Sequence, residues 1–360
     1  MLFDSMDTVL ITGGAGFIGI HTSISLLEKG FRVVIIDSLV NTTRKGVDRL
    51  RNKNYLGMSI LNSQLKFIKG DIVNQSLLTK INTTYNPDYI LNFAAESHVD
   101  RSISSADDFF ASNTLGVYKI LESLKHYKTY CKKKFKFLHI STDEVYGSAS
   151  KGSFRETSPY NPSSPYSATK AASDNLVKGW CTTYNINYNI TNCTNNYGPY
   201  QYPEKMIPLT IFRSLNMLPI LIYGDGKNVR DWIYVEDHIK YIFEIMMKGN
   251  INTTYNISTK NELSNNDLVK KIMKNLDKFK KLGKIKFYSN EISYVTDRPA
   301  HDFRYSINIS KLKKIKPKVK LNTFEINLYN TIDWYISNKK WLNKTLARSN
   351  YKGDRLGLKW

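Results

Sequence analysis

Tyr166 and Lys170 lie four positions apart in the segment Tyr166-Ser167-Ala168-Thr169-Lys170. On a helix this spacing places both side chains on one face. A free tyrosine has a pKa of about 10 and is a poor base at neutral pH. A nearby ammonium favours the phenolate, which is a competent base for oxidising an alcohol. The pair therefore predicts alcohol oxidation, although this spacing alone is common by chance.

Two adjacent acids, Asp143 and Glu144, follow an apolar run that ends at Ser141. Mutual repulsion and unequal burial can split the pKa values of two neighbouring carboxyl groups, so that one is protonated while the other is a base. We therefore predict an acid and a base for proton transfer, beside a hydroxyl, Thr142, that stabilises charge developing on a substrate oxygen. The structural alternative is that Asp143 caps a helix and Glu144 faces solvent.

A glycine-rich turn, Gly13-x-x-Gly16-x-x-Gly19, follows the first apolar run and opens an amphipathic segment. Glycines in this context allow a pyrophosphate to approach the backbone at a helix N-terminus. Asp37 ends the next apolar run, where a carboxylate accepts hydrogen bonds from ribose hydroxyls and repels a 2′-phosphate. The pattern predicts NAD as the cofactor, and the nicotinamide cation would add to the effect of Lys170 on Tyr166. The alternative is a purely structural glycine turn.

These residues must be positioned by alternating strands and helices, which predict a parallel sheet covered on both faces. We expect an α/β protein with a Rossmann-type doubly wound parallel sheet and a smaller α/β substrate-binding domain. The expected division is a cofactor domain at 1–194, a smaller substrate-binding domain at 195–345 and a tail at 346–360. The chain can cross back between the two domains. Helices are predicted from the glycine turn to about Lys29 and over Tyr166–Tyr184. Strands are predicted at Thr8–Thr12, Arg32–Asp37, Leu65–Lys69, Tyr89–Phe93, Phe135–Ser141 and Asn187–Thr194.

The composition, with 41% hydrophobic and 23% charged residues, is that of an ordinary globular protein. Its apolar runs are too short to span a bilayer, so we expect no membrane partner. Its three cysteines are widely spaced, so we expect reduced thiols and no metal site. Its N-terminus lacks a basic secretory segment, so we expect a cytoplasmic location. The 52 basic and 31 acidic residues give a net charge of +21. The lysines are dispersed without interleaved aromatics, so we expect no specific nucleic-acid binding.

Six further segments carry a resemblance. In this order along the chain they match motifs of the dTDP-glucose 4,6-dehydratases, over about residues 8 to 340: Ala94–Ser102, Ser141–Gly147, Asn195–Gln201, Pro203–Lys205, Asn228–Trp232 and Asp297–Asp302. With the glycine turn and the Tyr/Lys pair, they make the chain similar to this family of the extended short-chain dehydrogenase/reductase superfamily.

The resemblance implies an NAD-dependent hydro-lyase. Tyr166 would take the C4 hydroxyl proton of the sugar as NAD accepts the C4 hydride, Glu144 would take the C5 proton, and Asp143 would protonate the departing C6 hydroxyl. The hydride would return to C6, which gives a 4-keto-6-deoxy sugar nucleotide for deoxysugar synthesis, most commonly of rhamnose. The resemblance also implies a homodimer through helices around Ala106–Tyr127 and Tyr166–Tyr184.

The family's other site residues carry over onto matching positions. Those expected at the cofactor are Gly13, Gly16, Phe17, Ile18, Gly19, Asp37, Asp71, Ile72, Ala94, Ala95, Asn113, Ser141, Tyr166, Lys170 and Asn196. Those expected at the substrate are Ser97, Arg101, Asn195, Glu204, Lys205, Tyr223, Arg230, Asn265, Arg298 and His301.

The match departs from the family at several positions. His21-Thr22 and Asp37–Thr43 look more like UDP-galactose 4-epimerases, Asn192 replaces a usual Arg, and Leu221 replaces a frequent Pro. UDP-glucose is therefore an alternative substrate, because one methyl group discriminates by only about 1–3 kcal/mol. An epimerase, a UDP-glucuronate decarboxylase and a silent NAD-binding regulator are rival functions. The first two need no elimination machinery, and silent members commonly lose the Tyr or Lys, so Asp143, Glu144, Tyr166 and Lys170 argue against all three.

Overall fold

The fold is described from a computed structural model of the chain. The structure describes residues 6–40, 64–130, 134–315 and 320–348. Part of the epimerase-like segment, Asn41–Thr43, and most of the tail at 346–360 lie outside these residues. Within the described residues, no helix is long and apolar enough to cross a membrane.

The main sheet of the described chain has seven strands in the order β10-β6-β5-β4-β1-β2-β3. All neighbouring strands are parallel. The strands are β1 Thr8–Thr12, β2 Arg32–Asp37, β3 Leu65–Lys69, β4 Tyr89–Asn92, β5 Lys136–Thr142, β6 Asn187–Cys193 and β10 Thr253–Ile257. The order runs outward from β1 in both directions, which confirms the predicted doubly wound sheet.

Helices cover both faces of this sheet. Those that pack on it are α1 Phe17–Glu28, α2 Gln75–Tyr85, α5 Gly116–Tyr130, α6 Pro165–Thr183, α8 Val235–Lys248 and α10 Ser310–Lys314, and the short helices α3 Val99–Ser104 and α4 Asp107–Phe109 lie beside α6. On one face, Ile24 of α1 and Ile242 of α8 pack in a cluster with Val33 of β2. On the other face, Leu121 of α5 and Val177 of α6 pack with the alternate residues of the strands. Strands buried on both faces read as continuous apolar runs, which is why the sequence predicted them.

The remaining elements form a smaller unit beside the main sheet. Its strands are β7 Asn195–Tyr197, β8 Ile220–Tyr223, β9 Val229–Tyr234, β11 Glu262–Ser264 and β12 Ile292–Val295, and its helices are α7 Met206–Leu215, α9 Asn265–Lys281, α11 Phe324–Ser337 and α12 Lys339–Arg348. Strands β11, β9 and β7 make one small sheet, and β12 pairs with β8. A separate apolar cluster under α7, α9 and α11 holds this unit together.

The chain does not divide simply at one point. Strand β10 lies beyond residue 194, yet it pairs in parallel with β6 at the edge of the main sheet. Helix α8 likewise packs on α1 of the first half. Helix α10 packs beside β10, so several segments of the second half return to the main sheet.

Candidate active site

A cleft of about 920 Å³ opens at the carboxyl ends of the parallel strands. This edge is where ligands bind in doubly wound sheets, because the strand order reverses there. The predicted residues that line it are Gly13, Gly16, Phe17, Ile18, Gly19, Asp37, Asp71, Ile72, Ala94, Ala95, Ser97, Ser141, Thr142, Asp143, Glu144, Tyr166, Lys170, Asn195, Asn196, Glu204 and Lys205. Seven predicted residues lie outside its lining: Arg101, Asn113, Tyr223, Arg230, Asn265, Arg298 and His301.

The glycine turn between β1 and α1 forms one end of the cleft. Gly13 has a positive φ of 66°, and a Cβ there would lie 2.6 Å from the Ala94 nitrogen. A Cβ on Gly19 would collide with the Gly13 carbonyl oxygen. Gly16 precedes α1 without a side-chain cap, so the first N–H groups of this helix are left for a ligand. The turn therefore fits a pyrophosphate.

Asp37 lies at the end of β2 and is buried. One carboxylate oxygen accepts a hydrogen bond from the Ala15 N–H at 3.0 Å, and the other accepts from the Leu39 N–H at 2.8 Å. The residue thus holds the glycine turn in shape while it borders the cleft, a second role that the sequence did not indicate.

Asp71, Ile72 and Asn113 lie farther along this side. Ile72 is buried, and the Asp71 carboxylate accepts from the Val73 N–H at 3.0 Å. Asn113 is behind the cleft wall: its amide donates to the Glu96 carbonyl at 3.0 Å and accepts from the Glu96 N–H at 2.9 Å. Its side chain therefore supports the Ala94–Ser97 wall from behind.

Tyr166 and Lys170 occupy the first turns of α6, which begins with a capping box at Ser164 and Pro165 at its first position. Both side chains are buried, and the Lys170 ammonium donates to the Ile140 carbonyl at 2.7 Å. Burial first, and then the Glu144 carboxylate, raise the pKa of Tyr166 well above its usual value. Burial and nearby acids therefore oppose the expected phenolate, and the combined effect of Lys170 and the nicotinamide cation on the pKa of Tyr166 stays a prediction.

The acid pair lies where β5 passes into a short 3₁₀ turn, Asp143–Tyr146. Thr142 caps this turn, since its hydroxyl accepts from the Glu144 N–H at 3.3 Å. Asp143 is 3% exposed, and its Oδ2 is buried without a hydrogen-bond partner among the described residues. Glu144 is more open to the cleft and lies 3.4 Å from the Tyr305 hydroxyl.

The surroundings separate these two carboxyl groups. Burial first, and then the Glu144 charge, raise the pKa of Asp143 well above its usual range. Burial also raises the pKa of Glu144, but the positive charges of Arg298, Arg230 and Lys205 oppose that rise. The arrangement favours a protonated Asp143 beside an ionised Glu144, which is the division that acid–base catalysis requires.

Arg230, Arg298 and Lys205 act on Glu144 electrostatically, while their hydrogen bonds and ion pairs are made with other groups. The Arg230 guanidinium donates to the carbonyls of Asp302 and Val229, each at 2.8 Å, and lies 4.2 Å from the Tyr305 ring centre. Arg298 is 3.5 Å from the Asp100 carboxylate. Lys205 donates to the Ser97 carbonyl at 2.7 Å.

The other predicted substrate residues lie around this cationic group. Arg101 pairs with the Glu204 carboxylate at 2.7 Å. The Tyr223 hydroxyl donates to Asp100 at 2.8 Å, and the His301 ring is 2.6 Å from Asp297. Asn265 is buried at the start of α9, where its N–H donates to the Asn228 carbonyl.

The two asparagines of β7 differ in their surroundings. Asn196 is held by the buried His238 ring at 2.9 Å and donates to the Thr194 carbonyl at 3.0 Å. Asn195 has a buried Oδ1 without a hydrogen-bond partner among the described residues. Burial lowers the pKa of His238 to about 3, so the ring is neutral and acts as a support for Asn196.

Sequence reasoning missed several residues at the site. Asp174 lies two turns beyond Tyr166 on the same face of α6, completely buried, and accepts from the hydroxyls of Ser141 and Tyr160, each at 2.9 Å. Its spacing of four from Lys170 was the available signal. No comparable signal marked His238 or Tyr305, which reach the site only through the tertiary fold. No group of acids, histidines and cysteines in the described ranges is placed to hold a metal ion.

Comparisons with known proteins agree with this geometry. A family model described as GDP-mannose 4,6 dehydratase matches residues 10–324. A dTDP-glucose 4,6-dehydratase from Xanthomonas campestris pv. campestris is 44% identical over 357 residues, covering 98% of this chain and 99% of the relative. A dTDP-glucose 4,6-dehydratase structure from Streptomyces venezuelae, with NAD and dTDP bound, has a TM-score of 0.82 at 35% identity and covers 94% of this chain and 99% of its own.

A structure from the rival class is also similar. A UDP-glucose 4-epimerase from Thermotoga maritima, solved with UDP-glucose, has a TM-score of 0.78 at 26% identity and covers 92% of this chain and 99% of its own. The fold and the Tyr/Lys site thus define an enzyme of the short-chain dehydrogenase/reductase type. Within that class the chain belongs to the GDP-mannose 4,6 dehydratase family, in the branch of the dTDP-glucose 4,6-dehydratases.

Proposed function

We propose that the chain converts dTDP-glucose to dTDP-4-keto-6-deoxyglucose and water, with NAD as a cofactor that is regenerated in each turnover. The observation that carries this proposal is the buried pair Asp143 and Glu144, with unequal surroundings, in the same cleft as Tyr166. An enzyme that only oxidises and reduces C4 does not need this pair.

The residues around the glycine turn fit NAD. The N-terminus of α1 would hold the pyrophosphate, Asp37 the adenosine ribose, and Asp71 and Ile72 the adenine side. When bound, NAD supplies the acceptor for the hydride from C4 and a positive charge near Tyr166. That charge opposes the groups that raise the pKa of Tyr166 in the protein alone.

The protein's own groups then move the protons. Tyr166 takes the proton of the C4 hydroxyl, and Thr142 donates a hydrogen bond to the C4 oxygen. The C4 ketone acidifies C5, so Glu144 can remove the C5 proton as Asp143 protonates the departing C6 hydroxyl. Water leaves, and Glu144 would return a proton to C5 as C6 receives the hydride that was first taken from C4. Tyr166 has then gained one proton and Asp143 has lost one, so the transfer of one proton between them through solvent would restore the starting state. The strongly raised pKa of Asp143 supports a starting state in which Asp143 is protonated and Glu144 is ionised.

The nucleotide part of the substrate would lie toward the smaller unit. Lys205 and Arg298 would neutralise the diphosphate, with Arg230 held behind them by backbone carbonyls. Tyr223, Asn265 and His301 are proposed to border the nucleoside, and Ser97, Arg101 and Glu204 the sugar side. Asn195, with its free amide oxygen, is proposed to face the sugar, while Asn196 faces the nicotinamide side.

The assignment of base and acid is tested by turnover in deuterium oxide. The wild-type product should carry solvent deuterium at C5, because Glu144 exchanges its proton with solvent before it returns one. Glu144→Gln should show neither water loss nor deuterium at C5. Asp143→Asn should lose water elimination more severely than C5 exchange, and the reverse order would contradict the roles proposed here.

We also propose that the enzyme is a homodimer through α5 and α6. Two large apolar side chains before α5 support this: Phe110 is 59% exposed and Leu115 is 38% exposed. Light scattering should give the mass of two chains, and Phe110→Asp should shift it toward one. Phe287→Asp, at another exposed phenylalanine, is the matched control and should leave the mass unchanged.

The remaining proposals concern the domain division, the cellular location and the fate of the product. We propose a division into a cofactor domain at 1–194 and a substrate domain at 195–345, with β10 and α8 as returning segments. We further propose a cytoplasmic location, which the free thiols of Cys181 and Cys193 support. Rhamnose synthesis is the proposed destination of the product.

A further inference from the structure

Two side chains of the C-terminal helix line the cleft. Trp341 and Thr345 lie four residues apart on α12, on one face of the helix, and both border the same cleft as the glycine turn. Thr345 is 7% exposed. No sequence motif marked either residue, and neither has a place in the chemistry described above.

A chain of aromatic rings connects this helix with the start of α1. The Tyr200 ring is 4.2 Å from Trp334 and 5.5 Å from Trp341, measured between ring centres. On its other side Tyr200 is 6.2 Å from His21, which is 5.8 Å from Phe17, the first residue of α1. Tyr200 and Phe17 also line the cleft. The C-terminal helix is therefore joined by ring contacts to the pyrophosphate-binding end of the cleft.

The backbone at Tyr200 has an unusual conformation. Its φ is +67°, in the left-handed region that non-glycine residues rarely adopt. Tyr335 of α11, completely buried, donates to the carbonyls of Gly198 at 3.2 Å and Gln201 at 2.9 Å, on both sides of Tyr200. His21 contacts the Pro199 carbonyl at 3.0 Å. The fold thus fixes the Tyr200 loop from both the C-terminal helices and α1.

We propose that Trp341 and Thr345, with Tyr200, form a wall of the cofactor site that holds NAD against the N-terminus of α1. This inference rests on NAD being the cofactor of the proposed function. A cofactor that is regenerated within one turnover need not leave between turnovers, so a wall that slows its release does not slow the reaction. The C-terminal helix would therefore retain NAD and take no part in the proton transfers.

The test measures NAD binding directly, without sugar. Full-length protein freed of nucleotide is titrated with NAD by calorimetry, and NAD release is followed by stopped-flow tryptophan fluorescence. Trp341→Ala is expected to weaken NAD binding by about tenfold, mainly through faster release, because it removes one large aromatic contact. Trp341→Phe, which keeps a ring, should stay within about threefold of wild type. Phe287→Ala, an aromatic truncation at an exposed site, should leave binding unchanged.

Folding of each variant is checked by thermal unfolding without NAD. If Trp341→Ala does not fold, Trp341→Leu keeps much of the apolar volume and should still weaken NAD binding several-fold. A folded Trp341→Ala or Trp341→Leu that binds and releases NAD like wild type would overturn the proposal. Dehydration at saturating NAD is measured separately: its absence in the wild type would refute the proposed function, whereas a loss of NAD affinity alone concerns the wall.

Discussion

Replacing Asp143 by Asn should separate the acid from the base in this active site. Asp143 is almost completely buried, and burial and the Glu144 charge raise its pKa, so of the two acids it is the one that more strongly favours its protonated form. Asn has nearly the same shape and is neutral, as the protonated acid is, but it cannot transfer a proton. The substitution therefore removes one function and leaves the local charge unchanged.

The expected loss of kcat is about 10²- to 10⁴-fold, the usual contribution of a positioned general acid. That range corresponds to about 2.7–5.5 kcal/mol in the activation free energy. The pH dependence follows from the same assignment. Activity needs Glu144 ionised, so the rate rises with pH through the raised pKa of Glu144, and it needs Asp143 protonated, so the rate falls at higher pH.

The assay is product formation from dTDP-glucose with saturating NAD, measured as a pH profile for wild type and Asp143→Asn. The variant should lose the high-pH fall, and its low-pH rise should stay within about half a pH unit, because a neutral group has replaced a neutral group. If Asp143 were ionised in the active enzyme, removing its charge would move the low-pH rise down by about one pH unit or more. That movement, or a loss of kcat smaller than about tenfold, would refute the assignment.

Individual contacts give three further predictions. Asp143→Asn should also stabilise the fold. A carboxyl group whose pKa is raised on folding loses its stabilising contribution as pH rises, and each tenfold difference in proton affinity between the folded and unfolded chain is worth about 1.4 kcal/mol. The gain of the variant over wild type in the free energy of unfolding should therefore grow from pH 4 to pH 8. Lys136→Met should lower the free energy of unfolding, measured by urea titration, by about 2 kcal/mol, because the Lys136 ammonium donates to three carbonyls at the C-terminal end of α8. The control Lys248→Met, which breaks an exposed pair with Glu244, should cost at most about 0.5 kcal/mol in the same titration. Tyr166→Phe should lower kcat by at least about 10²-fold with dTDP-glucose binding retained, and a calorimetric loss of binding would instead assign Tyr166 to recognition.

The main sheet was predictable where the strands are buried on both faces. The observed strands β1, β2 and β3 match their predicted bounds, β4 and β6 each end one residue earlier than predicted, and β5 is shifted by one residue at both ends. Strand β10 was not predicted, because Thr253-Thr254-Tyr255-Asn256-Ile257 has a short, partly polar pattern without flanking signals. Its place at the edge of the sheet depends on the pairing with β6, which no local pattern encodes.

The cleft was predictable to the extent that its residues follow strand ends. Thr142, Asp143 and the glycine turn lie at the carboxyl ends of strands, so the topology of a parallel sheet brings them together. The long-range contacts were not predictable from local pattern. Arg230 is held by the carbonyls of Asp302 and Phe303, more than seventy positions away, and Trp341 lines the cleft in ring contact with Tyr200, a residue from a distant part of the chain.

The pKa of Tyr166 shows a different limit of sequence reasoning. The spacing to Lys170 correctly placed both residues at the start of one helix. The direction in which the pKa moves, however, depends on burial and on the nearby Glu144 carboxylate. Both are properties of the folded site, which the spacing of two residues does not encode.

The most direct test of the central claim is to incubate the purified protein and NAD with dTDP-glucose and, separately, with UDP-glucose. Mass spectrometry should show the loss of one water from dTDP-glucose, together with the alkali-induced absorbance of a 4-keto sugar, and a lower rate with UDP-glucose. Conversion at constant mass to the galactose isomer would contradict the account, because Asp143 and Glu144 would then have no elimination to perform.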